Sequence, residues 1–308
     1  MAKQYTSNLM MVRPASFQFN YETAVSNAFQ KSLDGLTEEE IKLKAIEEFD
    51  KYVAKLHENN INVTVIQDTS EPAKPDAIFP NNWISMHENG TVFLFPMNTE
   101  NRRLEIRPEI IEELKTSFVI NEVVDLTDSV HENKFLEGTG SIIFDHINKI
   151  AYACLSPRTD KNLFEKYCDT IGYEAVSFLS ADENNNLVYH TNVMLTIGDT
   201  FAVICLESIK DKTEQNLIKE KLEKTGHEII DISFSQMNAF AGNMLQVQNT
   251  ESKTFLVMSA TSLISLNENQ ITQIKKHTTI LSVEIPTIET IGGGSARCML
   301  AEIFLSEK

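Results

Sequence analysis

The chain has 308 residues, 42% of them hydrophobic, and its 44 acidic side chains outnumber the 27 basic ones, which gives a formal net charge of −17. This length and apolar content allow a sizeable core, whereas the negative charge opposes binding to nucleic acids and anionic membranes, since both are polyanions. No segment reaches the roughly 18 apolar residues of a membrane span, and the initial MAKQYTSNLMMVRP lacks the apolar run of a signal peptide. We therefore expect a small-molecule partner, with no nucleic acid and no membrane.

The cysteines are scattered along the chain. Cys154, Cys168, Cys205 and Cys298 form no CxxC pair, and their spacing fits neither a zinc ribbon nor a disulfide framework. Unpaired cysteines are typical of a reducing compartment, so we expect a cytoplasmic protein in which most thiols lie in the core. No metal-ligand spacing is visible, and we expect no cofactor.

Helical signals recur at a steady interval. Four of the five predicted helices begin at a capping residue or a proline, and two end before a glycine. The helices are predicted over 41–56 after the capping box of Thr37 and Glu40, 108–117 from Pro108, 163–171 between Thr159 or Asp160 and Gly172, 208–224 before Gly226, and 268–277 after Asn267.

A short β-rich segment follows each predicted helix, and a pair of strands joined by a turn follows each segment. The single segments are INVTVI, VINEVVDL, YEAVSFL, HEIIDIS and TILSVEI. Four strand pairs are WISMHENGTVFLFP, GSIIFDHINKIAYACL, TNVMLTIGDTFAVICL and NMLQVQNTESKTFLVMSA, with turns at Asn89-Gly90, near Asn148, at Gly198-Asp199 and near Asn249. A fifth pair joins CMLAEIFL to the N-terminal LMMVRPASF, so that the two ends of the chain close against each other.

The repeating unit is therefore ββαβ and is about 50 to 60 residues long. Fixed-period repetition without open ends favours a ring of units around a central axis, because a ring leaves no exposed terminal repeat. The alternative is an open α/β sheet, which needs parallel crossovers throughout and leaves the hairpins unexplained. We predict an α/β fold of five pseudo-symmetric blades that forms a single catalytic domain over residues 1–308.

The residues at the entry of each strand pair recur in register. They are Asn82, Glu137, His190 with Asn192, Asn243 and Cys298, and the steps from 82 through 137, 190, 243 and 298 are 55, 53, 53 and 55. Equivalent positions of a ring approach a common centre, so a thiol, an imidazole and a carboxylate would meet there. These groups form the basic set for covalent catalysis.

Each member of this set also has a plainer interpretation. Glu137 could be an exposed turn carboxylate, His190 a hydrogen-bonded core histidine, and Cys298 a small buried hydrophobe, although the three glycines before Cys298 would allow backbone to approach a ligand closely. The shared register favours catalysis. The histidines at 57, 87, 131, 146, 227 and 277 fall on predicted helices or turns, and we expect them to be solvated.

Three motifs resemble those of a known superfamily. FLEGTGS, YHTNVMLTIG and GGGSARCM resemble the Glu, His and Cys motifs of the guanidino-group-modifying enzymes, and the resemblance extends from VRPASF to RCMLAEIF. That superfamily includes arginine deiminases, dimethylarginine dimethylaminohydrolases and amidinotransferases, and it shares the five-bladed α/β propeller called the pentein fold. PDAIFPNNW and ACLSPRTD are most similar to its citrulline-utilisation hydrolase branch, which is related to arginine deiminases.

The resemblance implies roles for the matching residues. Cys298 would be the nucleophile, His190 the general acid and base, and Glu137 the carboxylate that supports them. The implied substrate-binding residues are Asp76, Asn82, Arg102, Arg158, Asn192 and Asn243. Both arginines match residues that hold the α-carboxylate of the substrate, a partner that suits the guanidinium fork; the alternative for each is a surface ion pair.

Two departures from the deiminase pattern bear on the substrate. Asn82 and Asn192 stand where a deiminase has carboxylates that clamp a cationic guanidinium. A buried carboxylate needs a neighbouring cation, whereas asparagine offers a donor and an acceptor without charge. The amides therefore favour a neutral ureido group, although Asp76 keeps one negative charge and leaves a guanidinium open.

We accordingly expect a hydrolase that cleaves citrulline to ornithine and carbamate through a covalent cysteine intermediate, with carbamate decaying to ammonia and carbon dioxide. The alternatives are an arginine deiminase or an amidinotransferase acting on guanidino substrates, and a non-catalytic pentein binding protein. The last alternative would lack Glu137, His190 and Cys298 in register. The sequence leaves the oligomeric state open, including a homodimer.

Overall fold

The computed structural model describes residues 3–32 and 35–308. Its strands, in chain order, are β1 (Asn8–Arg13), β2 (Asn62–Gln67), β3 (Ile84–Met86), β4 (Thr91–Leu94), β5 (Glu122–Asp125), β6 (Ile143–Asp145), β7 (Ile150–Cys154), β8 (Glu174–Phe178), β9 (Leu195–Ile197), β10 (Phe201–Ile204), β11 (Glu228–Asp231), β12 (Leu245–Gln248), β13 (Thr254–Ser259), β14 (Thr279–Val283) and β15 (Ala301–Glu302). Its α-helices are α1 (Tyr21–Ala24), α2 (Glu38–Glu58), α3 (Glu100–Arg103), α4 (Pro108–Ser117), α5 (Gly138–Ser141), α6 (Lys161–Ile171), α7 (Lys212–Lys224), α8 (Phe234–Asn238), α9 (Ala260–Ser265), α10 (Glu268–His277) and α11 (Pro286–Gly292). Single 3₁₀ segments lie at Pro80–Asn82, Thr127–Glu132, Thr191–Val193, Leu206–Ser208 and Ala296–Met299.

The strands of the described residues form five three-stranded sheets of one design. The sheets are β3-β4-β5, β6-β7-β8, β11-β10-β9, β12-β13-β14 and β15-β1-β2. In each sheet the middle strand pairs antiparallel with one neighbour and parallel with the other, as in β9-β10-β11. In the last sheet Leu9 of β1 lies opposite Glu302 of β15, so the two ends of the chain pair as predicted.

The crossover helices begin where the capping residues predict. The Thr37 hydroxyl accepts the Glu40 N–H at 3.2 Å while the Glu40 carboxylate accepts the Thr37 N–H at 2.8 Å, so the predicted capping box forms. One start differs from the prediction: the helix predicted over 208–224 begins only after Asp211, as α7. The Asp211 carboxylate accepts the N–H groups of Thr213 and Glu214 and so fixes the first turn there.

The first strands of the units lie innermost. Contacts join β3 to β15, β6 to β9 and β9 to β12, and every residue of β3, β6 and β9 is buried. The helices pack outside the sheets through apolar stripes; α2, for example, buries Ile41, Ala45, Phe49, Tyr52 and Leu56. Within the described residues, no helix combines the length and the apolar character that crossing a membrane requires.

Candidate active site

Helical turns at the entrances of the first strands carry the residues that the sequence places in register. Asn82 ends the turn Pro80–Asn82, Glu137 immediately precedes α5, and His190 immediately precedes the turn Thr191–Val193. Cys298 lies in the turn Ala296–Met299. The turn Pro80–Asn82 contacts both α5 and Ala296–Met299, and α5 also contacts Thr191–Val193. Four units thus bring these side chains together at the centre of the ring.

Glycines allow the turns to approach this closely. A Cβ atom at Gly140 would lie 2.9 Å from His190 Nδ1 and would also collide with Asn82 Nδ2. A Cβ atom at Gly242 would collide with the carbonyl oxygen of Val193. Side chains at these two positions would therefore push neighbouring units apart.

A narrow cavity is lined by both the Cys298 thiol and the His190 imidazole. Its lining residues are Asn27, Asp76, Phe79, Asn82, Arg102, Arg158, Tyr189, His190, Gly292, Gly293, Gly294 and Cys298. The remaining predicted site residues, Glu137, Asn192 and Asn243, hydrogen-bond to residues of this lining. The cavity therefore lies where the sequence predicts an active site for a small molecule, and it is lined by the predicted nucleophile.

His190 and Glu137 form a buried pair. His190 Nε2 lies 2.7 Å from Glu137 Oε2, while Glu137 Oε1 accepts the Asn98 N–H at 3.0 Å. Burial alone would raise the pKa of Glu137, but Arg158 and the hydrogen bond from His190 hold that pKa well below its ordinary value. Burial lowers the pKa of His190 to about 4, although Glu137 opposes the shift. The resting pair is therefore a carboxylate beside a neutral imidazole, which must gain a proton before it can donate one.

Two amides face the sulfur of Cys298. Asn192 Nδ2 lies 3.3 Å and Asn243 Nδ2 lies 3.2 Å from Sγ, and the thiol is 3% exposed. Asn243 is itself held by the backbone N–H of Arg297, which donates to its Oδ1 at 3.1 Å. Both N–H groups are placed to stabilise negative charge that develops on the sulfur.

The two arginines are buried, so their interpretation as surface ion pairs is wrong. Arg102 donates through Nε and Nη2 to the carboxylate of Glu105, at 2.8 and 2.9 Å, and through Nη1 to Asn82 Oδ1 at 2.8 Å. Arg158 donates through Nη2 to the Ser26 hydroxyl at 2.8 Å and to the Thr23 carbonyl at 3.1 Å. The positive charge of Arg102 is therefore paired with the Glu105 carboxylate, whereas hydroxyl and carbonyl oxygens accept most of the hydrogen bonds that Arg158 donates.

Residues 20–31, here named the cover segment, contact the cavity and were missed by the sequence analysis. Asn20 Nδ2 and Thr23 Oγ1 donate to Asp76 Oδ2 at 2.7 and 3.0 Å, and Asn27 Nδ2 donates to the Gly293 carbonyl at 3.3 Å. Its only regular element is the four-residue helix α1, which Asn20 caps. So short a helix gives no periodic signal in the sequence.

Three buried polar atoms at the site have no hydrogen-bond partner among the described residues. They are Asp76 Oδ1, Asn82 Nδ2 and Asn192 Oδ1. Buried polar groups are nearly always satisfied by protein or water, so a cluster of exceptions close to the Cys298 thiol indicates a place for a ligand.

The other cysteines and histidines lie outside this cluster. Cys154, Cys168 and Cys205 are buried free thiols, and burial raises the pKa of each to about 12, which agrees with the core role predicted for them. The prediction that the remaining histidines are solvated is wrong for His227, which is 4% exposed and has Gly198 O and Thr225 Oγ1 within hydrogen-bond distance of its ring nitrogens. It is also wrong for His87 and His146, which are half-buried and whose pKa burial lowers to about 4 and about 3. Within residues 3–32 and 35–308, no group of three His, Cys, Asp or Glu side chains has the arrangement of a metal site.

Comparison with known proteins gives one family and one fold. A family model described as N,N dimethylarginine dimethylhydrolase, eukaryotic, matches residues 13–305. No curated protein matches the chain in sequence.

Several solved structures are similar to this chain. Apo ArgZ, an arginine dihydrolase from the ornithine-ammonia cycle in cyanobacteria, is 17% identical with a TM-score of 0.73, and the match covers 96% of this chain but only 40% of ArgZ. The N-terminal domain of a cysteine-to-serine variant of ArgZ, bound to substrate, is 16% identical with a TM-score of 0.72 over 96% of this chain and 97% of that domain.

A third similar structure is a histidine-to-glycine variant of a dimethylarginine dimethylaminohydrolase that carries an adduct with S-methyl-L-thiocitrulline. It is 16% identical with a TM-score of 0.64, and the match covers 98% of this chain and all of that one. At such identities the likeness concerns the fold, and it confirms the five-bladed ring predicted from the repeats and the pentein fold that the resemblance implies.

Proposed function

The chain belongs to the N,N dimethylarginine dimethylhydrolase family and is an enzyme acting on guanidino-type C–N bonds, and from this premise we propose that its own substrate is citrulline, which it hydrolyses to ornithine and carbamate. Asn82, Glu137, His190 and Cys298 each come from a different unit of the ring. We infer that the chain acts as one catalytic domain, since no single unit contains the reacting groups.

The observation that carries the proposal is the mixture of unpartnered atoms at the cavity. Asn82 Nδ2 is a buried donor, whereas Asp76 Oδ1 and Asn192 Oδ1 are buried acceptors. A ureido group has one carbonyl acceptor flanked by N–H donors, so it complements both kinds of atom. A guanidinium has N–H donors alone and would oppose Asn82 Nδ2 with another donor.

The place of the unpartnered donor fits a ureido oxygen. Asn82 Nδ2 and His190 Nδ1 both lie within 3.0 Å of the point that a Cβ atom on Gly140 would occupy. A carbonyl oxygen bound by Asn82 would therefore lie near the imidazole. Leaving a buried donor unpaired costs about 1–3 kcal/mol, so this single contact favours the ureido group by roughly fivefold to 150-fold.

The reaction follows from the resting protonation states. As the Cys298 sulfur attacks the ureido carbon, neutral His190 accepts the thiol proton on Nδ1, since Nε2 stays bonded to Glu137. The imidazolium then protonates the side-chain nitrogen, the C–N bond breaks, and ornithine leaves. A carbamoyl group remains on the sulfur, and water that loses a proton to His190 releases it as carbamate.

We assign the α-carboxylate of citrulline to Arg158. This guanidinium is 2% exposed and lines the cavity, yet its contacts with the cover segment are to neutral oxygens of Thr23 and Ser26. A carboxylate is a stronger partner than a hydroxyl or a carbonyl, so it would replace them. Substrate binding would then displace the cover segment from Arg158.

A second candidate, hydrolysis of arginine or another guanidino substrate, is favoured by Asp76. Burial raises the pKa of this carboxyl, but Arg102 and the hydrogen bonds from Asn20 and Thr23 oppose that shift. An ionised Asp76 with a free Oδ1 would bind a guanidinium N–H. Amidino transfer to an amine is the corresponding non-hydrolytic reaction of this candidate.

The test combines product analysis with trapping of the intermediate. Purified enzyme is incubated separately with citrulline, arginine and dimethylarginine, with and without an amine acceptor, and the amino-acid products are separated. Acid-quenched samples are then analysed by mass spectrometry of the peptide that contains Cys298.

We expect ornithine from citrulline and a carbamoyl adduct on Cys298. Citrulline formed from arginine, together with an amidino adduct, would replace the first candidate by the second. Ornithine formed without any adduct on Cys298 would contradict covalent catalysis at this residue.

A further inference from the structure

We propose that Arg103 is a positioning residue that keeps the Glu137 carboxylate turned towards His190. It acts through the peptide group between Met97 and Asn98, which lies between the guanidinium and that carboxylate. The inference rests on the proposed function, because it builds on the roles of Glu137 and His190 in the reaction. Arg103 directly follows a residue of the cavity lining, yet the resemblance implies no role for it.

The two oxygens of the Glu137 carboxylate have different partners. Oε2 lies 2.7 Å from His190 Nε2 and also accepts from Arg158 Nη1 at 3.4 Å. Oε1 accepts one hydrogen bond among the described residues, from the Asn98 N–H at 3.0 Å. A carboxylate rotates in a broad energy minimum about its last side-chain bond, so a partner on each oxygen decides which way it faces. The Asn98 N–H is therefore the group that fixes Oε1 while Oε2 faces the imidazole.

Arg103 holds the same peptide group from the other side. Its Nε donates to the Met97 carbonyl oxygen at 3.0 Å, and its Nη2 donates to the next carbonyl oxygen, that of Asn98, at 2.9 Å. The Met97 C=O and the Asn98 N–H belong to one planar trans peptide group and point to its opposite sides. The guanidinium and the Glu137 carboxylate therefore face each other across a single peptide group.

The charges at the two ends strengthen this bridge. Hydrogen bonds to ionised groups are shorter and stronger than bonds between neutral groups, and bonds in series polarise one another. The cation of Arg103 polarises the Met97 carbonyl, which strengthens the hydrogen bond from the same peptide group to the anionic Glu137. The guanidinium fork also restricts the loop after β4, since it binds two consecutive carbonyl groups.

A further contact joins Arg103 to the segment that carries Glu137. The guanidinium carbon lies 6.0 Å from the ring centroid of Phe135, at the distance of a cation–π contact. Phe135 is buried and comes two residues before Glu137. The half-buried Arg103 thus contacts both the peptide group that binds Glu137 and the segment that leads to it.

A double-mutant cycle tests whether Arg103 acts through Glu137. Arg103→Met removes the charge and both donors, and we expect kcat for citrulline to fall about tenfold while KM stays within about twofold of the parent. In a Glu137→Ala background no carboxylate is left to position, so the same substitution should change kcat less than about twofold. A loss of kcat that is equally large in both backgrounds would overturn the inference, as would a loss confined to KM or no loss at all.

Arg107→Met is the matched control. Arg107 Nη2 donates to the Gln67 carbonyl oxygen at 2.9 Å. The N–H of the same peptide group, that of Asp68, donates to the Arg13 carbonyl oxygen at the end of β1. An arginine here binds a peptide group in the same way, but that group has a structural partner. The control should lower the melting temperature and keep kcat near the parent value. A loss of kcat as large as that of Arg103→Met would overturn the inference, because the effect would not be specific to the catalytic pair.

Two conservative variants keep the cycle usable if a variant does not fold. Arg103→Lys keeps the charge and one donor for the Met97 carbonyl, so we expect its kcat to lie between those of the parent and Arg103→Met. Glu137→Gln binds the Asn98 N–H without charge, so the loss caused by an Arg103 variant should be smaller in this background than in the parent. A parent-like kcat in Arg103→Lys, or a loss that is undiminished in Glu137→Gln, would contradict the positioning role.

The proposed function can fail separately, because attack by Cys298 on a ureido or a guanidino carbon uses the same imidazole. If the unmodified enzyme hydrolyses arginine and not citrulline, the proposed substrate is rejected and the cycle is measured with arginine. If it hydrolyses neither, the rate of Cys298 alkylation by iodoacetamide, followed by mass spectrometry, replaces kcat, because His190 must accept the thiol proton. A fall in that rate confined to enzymes that retain Glu137 would keep the inference, and a uniform or absent fall would reject it.

Discussion

The two ends of the innermost strands use buried polar groups in opposite ways. At the ends far from Cys298, Gln4 donates through Nε2 to the carbonyl oxygens of Phe144 and Ile197, at 2.8 and 3.2 Å, and accepts the His146 N–H at 2.8 Å. At the entrances, Asp76, Asn82 and Asn192 each keep one atom without a partner among the described residues.

This difference in hydrogen bonding distinguishes buried polar groups that only stabilise the fold from buried polar groups that can bind a ligand. A buried amide that only holds the fold completes its hydrogen bonds within the protein, because each missing bond lowers stability. The entrances leave hydrogen bonds unmade close to the predicted nucleophile Cys298, and a ligand can supply them. Perturbing the entrances should therefore change chemistry, whereas perturbing the far end should change stability.

The largest effect is expected from the nucleophile. Cys298→Ala removes the sulfur that would carry the proposed carbamoyl group, so we expect kcat to fall about a thousandfold or more, while the melting temperature stays near that of the unmodified enzyme. Cys168→Ala, which removes a buried free thiol of α6, is the control and should keep its kcat. Ornithine production at the normal rate by Cys298→Ala would remove the chemical distinction between the two ends.

The next largest effect is expected from Glu137→Gln. The carboxylate accepts from His190 Nε2 at 2.7 Å and stabilises the imidazolium that forms during attack. A neutral amide loses this charge, so kcat should fall about a hundredfold or more. The steady-state rate with saturating citrulline measures it, and a change confined to KM would show that Glu137 supports binding rather than proton transfer.

Much of this architecture could be predicted from the sequence, because local signals agree with the global repeat. Thr37, Asp160 and Asn267 cap the helices that they were predicted to cap, and the strand pairs follow at a constant interval. The steps between Asn82, Glu137, His190, Asn243 and Cys298 placed these residues together without any contact information.

What could not be predicted depends on contacts distant in sequence. The cover segment contains only the short α1 and is held by Asp76, Arg158 and Gly293, which come from other units. The fork between Arg102 and Glu105 did leave a signal, since residues three apart face each other on a helical turn. Arg102 was interpreted instead through its match to an arginine that holds the substrate's α-carboxylate.

A third prediction changes the substrate without removing the chemistry. In Asn82→Asp, Arg102 would hold one carboxylate oxygen and the other would face the cavity, replacing the unpartnered donor by a charged acceptor. We expect the ratio of kcat/KM for citrulline to that for arginine to fall about tenfold or more. An unchanged ratio would mean that the orientation of Asn82 does not select the head group.

A fourth prediction concerns pH. Because burial lowers the pKa of His190 to about 4, the neutral form that accepts the thiol proton persists into acid. We expect kcat/KM for citrulline to fall less than about twofold between pH 7 and pH 5, whereas a histidine of ordinary pKa would lose most of its neutral form.

Burial also raises the pKa of Glu105 to about 7, although Arg102 opposes the shift. Any inflection in the pH profile of kcat/KM near pH 7 should therefore disappear in the Glu105→Gln variant. A steep loss of kcat/KM around pH 6 in both enzymes would show that His190 is not the resting base.

The smallest catalytic effect is expected at the far end. Gln4→Ala leaves two carbonyl groups and one N–H group without their partner, so we expect the free energy of unfolding to fall by about 1–3 kcal/mol. The hydrogen bonds of Glu137, His190 and Cys298 do not involve Gln4, so kcat/KM for citrulline should stay within about twofold of the parent. Denaturant unfolding and steady-state kinetics measure the two quantities. The contrary outcome is a folded Gln4→Ala variant whose kcat/KM for citrulline falls as much as that of Asn82→Asp. It would mean that the far end shapes the site through the short strands β6 and β9. Buried polar groups at the two ends would then not act independently.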